Sequence, residues 1–138
     1  MKLKIIFGAI IAVLVIGGLV YISRLPGKLD TFATCLKDTG AVFYGAFWCP
    51  HCQEQKALFG RSRSKLPYIE CSTPDGNSQT QVCKDKKVVG YPTWEFADGT
   101  RETGSLSLAR LAEKTSCPLF EAEINTESVD IATTTVTE

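Results

Sequence analysis

The longest apolar pattern in the chain is at its start. Ile5 to Ile22 contains no charged residue, and at about 1.5 Å per helical residue this run spans roughly 27 Å, close to the ~30 Å core of a bilayer. The pattern predicts one membrane-spanning helix, touching lipid through residues 5–22, within an anchor of residues 1–24. A cleaved signal peptide fits less well: its apolar stretch is usually about 7 to 15 residues, and no A-x-A-like site follows this one. Lys2, Lys4 and the amino terminus precede the run, and Arg24 and Lys28 follow it. The positive-inside rule then places the N-terminus in the cytoplasm and everything from Ser23 onward outside it.

Residues 25–29, containing Pro26-Gly27, read as a linker. Beyond it the periodicity alternates between helix and strand. Asp30 is placed to cap a helix running through Thr39 and stopped at Gly40. Ala41 to Phe47 is an apolar run suited to a buried central strand. Pro50 lacks an N–H and fits the first turn of a helix that reaches about Gly60. Leu66 to Cys71 reads as a short strand, Ser72 to Asn77 as a turn and Ser78 to Lys86 as a helix. Thr93–Ala97 and Arg101–Thr103 flank Asp98-Gly99, a strong hairpin signal. Ser107 caps a closing helix with Leu108, Leu111 and Ala112 on its inner face, ended by Pro118. This order predicts an α/β sandwich with a mixed sheet over residues 30–117. Residues 118–138 are Thr-rich and acidic, with Glu121, Glu123, Glu127, Asp130 and Glu138 and no sustained period. They read as a disordered tail.

Composition narrows the chemistry. The 138 residues carry 15 basic and 15 acidic side chains, and no Lys/Arg-rich run stands out, so nucleic acid is not an expected partner. Six cysteines is high usage for this length, favouring an oxidising compartment or a metal. The cytoplasm-to-outside orientation of the anchor favours the first.

Cys49-Pro50-His51-Cys52 is the chemical centre of the sequence. A C-x-x-C pair at a helix mouth puts the first sulfur where the helix dipole and free N–H groups stabilise a thiolate. Cys49 is therefore the expected exposed nucleophile. Cys52, one turn on, faces the same side and can attack a mixed disulfide formed by Cys49. His51 is expected near the Cys49 sulfur, where positive charge or a hydrogen bond would favour the reduced form and make the disulfide a stronger oxidant. The competing reading is half a zinc site completed by Cys71 and Cys83, but that second pair lacks the knuckle spacing of structural zinc sites. No metal and no bound cofactor are expected beyond the Cys49–Cys52 redox pair.

Phe47-Trp48-Cys49-Pro50-His51-Cys52 together with Tyr91-Pro92-Thr93 resembles the thioredoxin superfamily. The resemblance implies a thioredoxin-like sandwich, a cis bond before Pro92 and a Pro92 lying against the active-site sulfurs. It also implies that Tyr91 offers backbone groups to a substrate strand. The longer run from Tyr44 to Gln53, with Glu70-Cys71-Ser72, Cys83 and Tyr91-Pro92-Thr93-Trp94, is similar to the thioredoxin-like domain fused to, or partnered with, bacterial homologues of vitamin K epoxide reductase. That likeness implies a membrane quinone-linked thiol oxidase as partner and exported protein thiols as substrates. One departure stands out: where thioredoxin carries a buried acid, this sequence has Phe43. Glu70 is a candidate substitute, against the commoner reading of a solvated carboxylate at a strand end.

Cys71 and Cys83 enclose a polar, Gly/Pro-containing loop, and a structural disulfide there would contribute about 3 kcal/mol. For Cys35 and Cys117 three states stay open: paired with each other, free, or relaying electrons to a membrane partner. Trp94 and Phe96 read as sheet packing, and Trp48 as the surface aromatic available to substrate. The sequence predicts a membrane-anchored oxidase of exported thiols. A reductase or isomerase of the same fold, and a non-enzymatic anchored binding domain, are the alternatives.

Overall fold

A computed structural model of the chain describes residues 2–23 and 25–119. The tail expected from residue 118 therefore lies outside the described residues from 120 onward. The elements are α1 (Lys2–Ser23), α2 (Asp30–Asp38), β1 (Val42–Gly45), α3 (Pro50–Leu58), a 3-10 segment (Gly60–Lys65), β2 (Tyr68–Glu70), α4 (Gln81–Asp85), β3 (Thr93–Glu95), β4 (Arg101–Thr103) and α5 (Leu108–Thr115).

Among the described residues no helix is long and apolar enough to cross a membrane. In α1 the side chains described are those of residues 7, 8 and 10–22. Those apolar side chains face outward, Phe7, Val13, Leu14 and Tyr21 among them. The end of α1 meets the rest of the chain where the Arg61 guanidinium donates to the Ile22 carbonyl at 3.2 Å.

The sheet has the order β2-β1-β3-β4. It is mixed: β1 runs parallel to β2 and antiparallel to β3, and β3 pairs antiparallel with β4 through the Asp98-Gly99 turn. β1 is thus central, which explains its apolar composition. Phe43 lies opposite Tyr68 on one side and Trp94 on the other. Its ring stacks on Trp94 at 4.9 Å and meets Tyr68 edge-on at 5.1 Å. Phe32, Leu36, Phe59 and Leu111 close the same core, each fully buried side chain contributing about 1.5 to 3 kcal/mol. Trp94 and Phe96 are buried sheet residues, in line with the packing role expected for them.

Several local expectations need correction. Asp30 does not cap α2; the N-cap position is Leu29, without a side-chain cap. Its own buried N–H donates to Ser62 Oγ at 3.0 Å. Leu29, the last residue of the stretch read as linker, is itself in the core. The helix from Pro50 stops at Leu58 and tightens into the 3-10 segment. α4 begins at Gln81, not Ser78. Ser78 and Gln79 are held elsewhere: the Ser78 carbonyl accepts from Thr73 N–H, and Gln79 bridges to Ser72. Ser107 does cap α5, accepting from Arg110 N–H at 3.1 Å. Two disulfides tie the elements together. Cys35–Cys117 joins α2 to the residue beyond α5, and Cys71–Cys83 closes the loop between β2 and α4.

Candidate active site

β1 delivers the chain to the site. After Gly45 the backbone turns through Ala46, Phe47 and Trp48, and Pro50 then opens α3 with extended Cys49 as its N-cap. Cys49 and Cys52 are both free thiols. Cys49 is less open than expected, retaining 6% of its surface against 0% for Cys52. What separates the two is therefore their neighbours more than their depth. Cys49 Sγ lies 3.7 Å from the Tyr91 carbonyl, and the Tyr91–Pro92 bond is cis. Pro92 is fully buried and Tyr91 partly so.

On the Cys49 side, Trp48 is half exposed and meets Tyr91 edge-on at 6.1 Å. Its indole N–H donates to Ser72 Oγ at 2.9 Å. Gln79 Nε2 donates to the Tyr91 hydroxyl at 2.7 Å and to the Val88 carbonyl at 2.8 Å. A cavity of about 190 Å³ lies between Trp48, Tyr91 and the loop carrying Ser72, Gly76, Asn77 and Ser78. Gly76 has a φ of +75° and lies within reach of the Trp48 and Phe47 rings. Only glycine takes that turn at no steric cost.

The partner that the His51 side chain takes is Glu54. The ring Nδ1 pairs with Glu54 Oε2 at 2.9 Å, three residues on along α3, with both side chains about two-thirds exposed. An i,i+3 carboxylate on the same exposed face competes for the ring and wins in this geometry. Glu70 is half-buried and held by three hydrogen bonds. One of its oxygens accepts the backbone N–H groups of Phe47 at 3.2 Å and Ser72 at 2.9 Å, and the other accepts the Tyr68 hydroxyl at 2.6 Å. It ties the approach to the cysteines to the start of the disulfide loop.

Residues 29–116 match the thioredoxin family. The chain belongs to that family. Two relatives add detail. The thiol-disulfide oxidoreductase LTO1 of Arabidopsis thaliana is 45% identical over 92 residues, covering 63% of this chain and 24% of that protein. The thioredoxin domain-containing protein 5 homolog of Drosophila melanogaster is 28% identical over 101 residues, covering 64% of this chain and 24% of that protein. The chain spans about a quarter of the length of the curated relatives it matches.

Within this thioredoxin domain Cys52 is sealed on every side. A Cβ added to Gly45 would lie 2.9 Å from both Cys52 Sγ and Tyr68 Cε2, so the strand needs glycine for the sulfur to fit. Burial pushes the Cys52 thiol up to about 12; the Ala46 backbone and the Lys56 charge act in the opposite direction, and Cys49 adds to the rise. Burial and the bond to Glu70 also hold the Tyr68 phenol well above its usual range. Sequence reading missed Lys56, Tyr68, Gln55 and Ser72. Lys56 alone was visible by spacing, lying four residues after Cys52 on one helix face. Gln55 is fully buried, and its carbonyl accepts from Trp94 Nε1 at 3.2 Å and Leu106 N–H at 2.7 Å, pinning α3 to β3 and to the segment before α5. Nothing in a single polar letter announces that.

Among the described residues no group of three His, Cys, Asp or Glu is arranged to hold a metal. Cys71 and Cys83 are joined to each other, so they are not zinc ligands for the C-x-x-C pair. Cys35 and Cys117 are likewise joined.

Proposed function

We propose that this chain is a thiol-disulfide oxidoreductase working through Cys49 and Cys52, and that it oxidises exported protein thiols. A substrate thiolate attacks Cys49 in the oxidised pair, forming a mixed disulfide while Cys52 leaves with the electron pair. A second substrate thiolate then displaces Cys49. The substrate ends as a disulfide and the pair as two thiols, having taken up two electrons. The observation that carries this reading is the asymmetry of the pair: one sulfur faces the carbonyl preceding the cis proline beside an exposed tryptophan, and the other is sealed. Likeness to the Arabidopsis thiol-disulfide oxidoreductase supports the same chemistry.

In this proposal residues 1–24 anchor the chain in a membrane, 25–29 link it and 30–117 form the catalytic domain outside the cytoplasm. The uncharged run from Ile5 to Ile22 and the outward-facing apolar side chains of α1 support the anchor. Electrons then pass to a membrane quinone-linked thiol oxidase of the vitamin K epoxide reductase type, which the anchor brings to high local concentration.

The full chain in detergent is the material for the test. Cys52→Ala traps substrates as mixed disulfides, and Cys49→Ala traps none. A reduction potential near the roughly −120 mV of strong oxidants supports oxidation; one near about −270 mV makes the protein a reductant. In cells lacking the membrane oxidase the Cys49–Cys52 pair accumulates reduced, and a pair that stays fully oxidised there overturns the proposed partner.

A further inference from the structure

The residue that faces Cys52 is not an acid. Lys56 follows it by one helical turn, and i,i+4 side chains share a face of a helix. The ammonium sits 3.4 Å from the centroid of the Tyr68 ring, a cation–π geometry that holds a half-buried charge in place. The edge of the same ring and the Cys52 sulfur both reach within 2.9 Å of the point a Gly45 Cβ would occupy. Tyr68 is itself fixed, its hydroxyl donating to Glu70 at 2.6 Å while Glu70 is held by two backbone N–H groups. Phe43 meets the Tyr68 ring edge-on at 5.1 Å.

We propose that Lys56, held on the Tyr68 ring whose hydroxyl is tied to Glu70, is the positioned charge that stabilises the Cys52 thiolate during disulfide exchange. This rests on the oxidoreductase reading and extends it to the chemistry of the second sulfur. When a substrate thiolate attacks Cys49, the Cys49–Cys52 bond breaks and Cys52 departs with the electron pair into an apolar site. There the negative charge is expensive unless a cation faces it. In the reverse step Cys52 attacks Cys49 of the mixed disulfide, the bond to substrate breaks and the substrate leaves as thiolate. Lys56 keeps its own proton in both directions; Cys52 exchanges its proton with water.

The charged and titratable groups around this sulfur are few. Cys49 and Lys56 act on it from α3. Tyr68 and Glu70 stand behind Lys56 on β2, and Arg63 of the 3-10 segment acts on Lys56. Burial lowers the Lys56 pKa, and Glu70 and Cys52 oppose that fall. Glu70 therefore steadies the cation as well as the ring.

The test measures single-turnover resolution of the Cys49–glutathione mixed disulfide by Cys52 across pH, in the full-length wild type, Lys56→Met and Lys56→Arg. Alkylation of Cys49 is followed in parallel. Lys56→Met is expected to slow resolution about three- to fourfold for each unit by which the Cys52 pKa rises, the tenfold fall in thiolate being partly offset by the greater nucleophilicity of a more basic thiolate, and to displace the rate profile to higher pH. Lys56→Arg is expected to restore most of the rate, and Cys49 alkylation to stay within about twofold of wild type, since the lost charge faces the other sulfur. Equal resolution rates in wild type and Lys56→Met, or an equal loss in alkylation and resolution, would overturn the proposal. A wild type that forms no mixed disulfide at all would instead overturn the oxidoreductase reading, and this role with it.

Discussion

Two surroundings meet at the mouth of α3. On the Cys49 side the neighbours are a backbone carbonyl, a half-exposed indole and a polar loop held by Ser72 and Gln79. On the Cys52 side they are a glycine, an aromatic ring and a lysine, packed without room for one more carbon. The first is built from reversible polar contacts and a cavity, and so can receive another chain. The second is built from close packing, so a charge there has only the neighbours supplied by the fold. In the proposed function, specificity belongs to one side and energetics to the other. Substitutions on each side should therefore fail in different ways.

The largest effect is expected from the wall of the Cys49 side. Replacing Cys71 and Cys83 together by Ala removes the disulfide that closes the β2–α4 loop and should lower stability by about 3 kcal/mol. Denaturant unfolding of the full chain measures this. A loss below about 1 kcal/mol would mean that the loop is held by its hydrogen bonds alone.

Next comes Gly45→Ala on the Cys52 side. Its new methyl group meets Cys52 Sγ and Tyr68 Cε2 at 2.9 Å and Phe43 Cε2 at 3.4 Å, and overpacking of this kind costs about 1 to 3 kcal/mol. Mixed-disulfide resolution should suffer while Cys49 still alkylates. If both reactions slowed together, the two sides would not be separable.

A pH dependence sharpens the contrast further. The Cys52 thiol is raised from 9.0 to about 12, chiefly by burial. Between these values the unfolded chain has released its proton and the folded chain retains it, so this contribution is complete below pH 9 and is lost as pH rises toward 12. Reduced wild type should therefore lose stability with rising pH more steeply than Cys52→Ala in that window. Parallel stability curves would show that Cys52 is not sealed.

The smallest effect is expected from Ser72→Ala, which removes the acceptor of the Trp48 indole N–H. A loss of about 0.5 to 1.5 kcal/mol in substrate capture, with Cys52 chemistry unaltered, would keep the two sides distinct. A change in the resolution rate would join them.

The order of elements, the hairpin at Asp98-Gly99, the Ser107 cap and the position of Cys49 and Cys52 at a helix mouth were legible because each depends on local chemistry. Turn residues, caps and a C-x-x-C at a helix mouth act over a few residues. The cis bond before Pro92 was legible only through family resemblance. The His51–Glu54 contact was not read from the sequence, because i,i+3 spacing allows such a pair without requiring it. Glu70 was undervalued because its partners, Phe47, Tyr68 and Ser72, lie on three different segments.

By itself the sequence determined that a C-x-x-C pair stands at the mouth of a helix, that a mixed sheet leads into it and where an apolar helix precedes the domain. The pairing of Cys35 with Cys117, the Ser62 hydroxyl at the start of α2, the Gln55 bridge and the Lys56–Tyr68–Glu70 assembly behind Cys52 were decided only by the tertiary structure. Each of these needs residues distant in sequence brought within a few ångströms. The strength of a hydrogen bond or a charge depends on that distance and on the exclusion of water, and packing sets both.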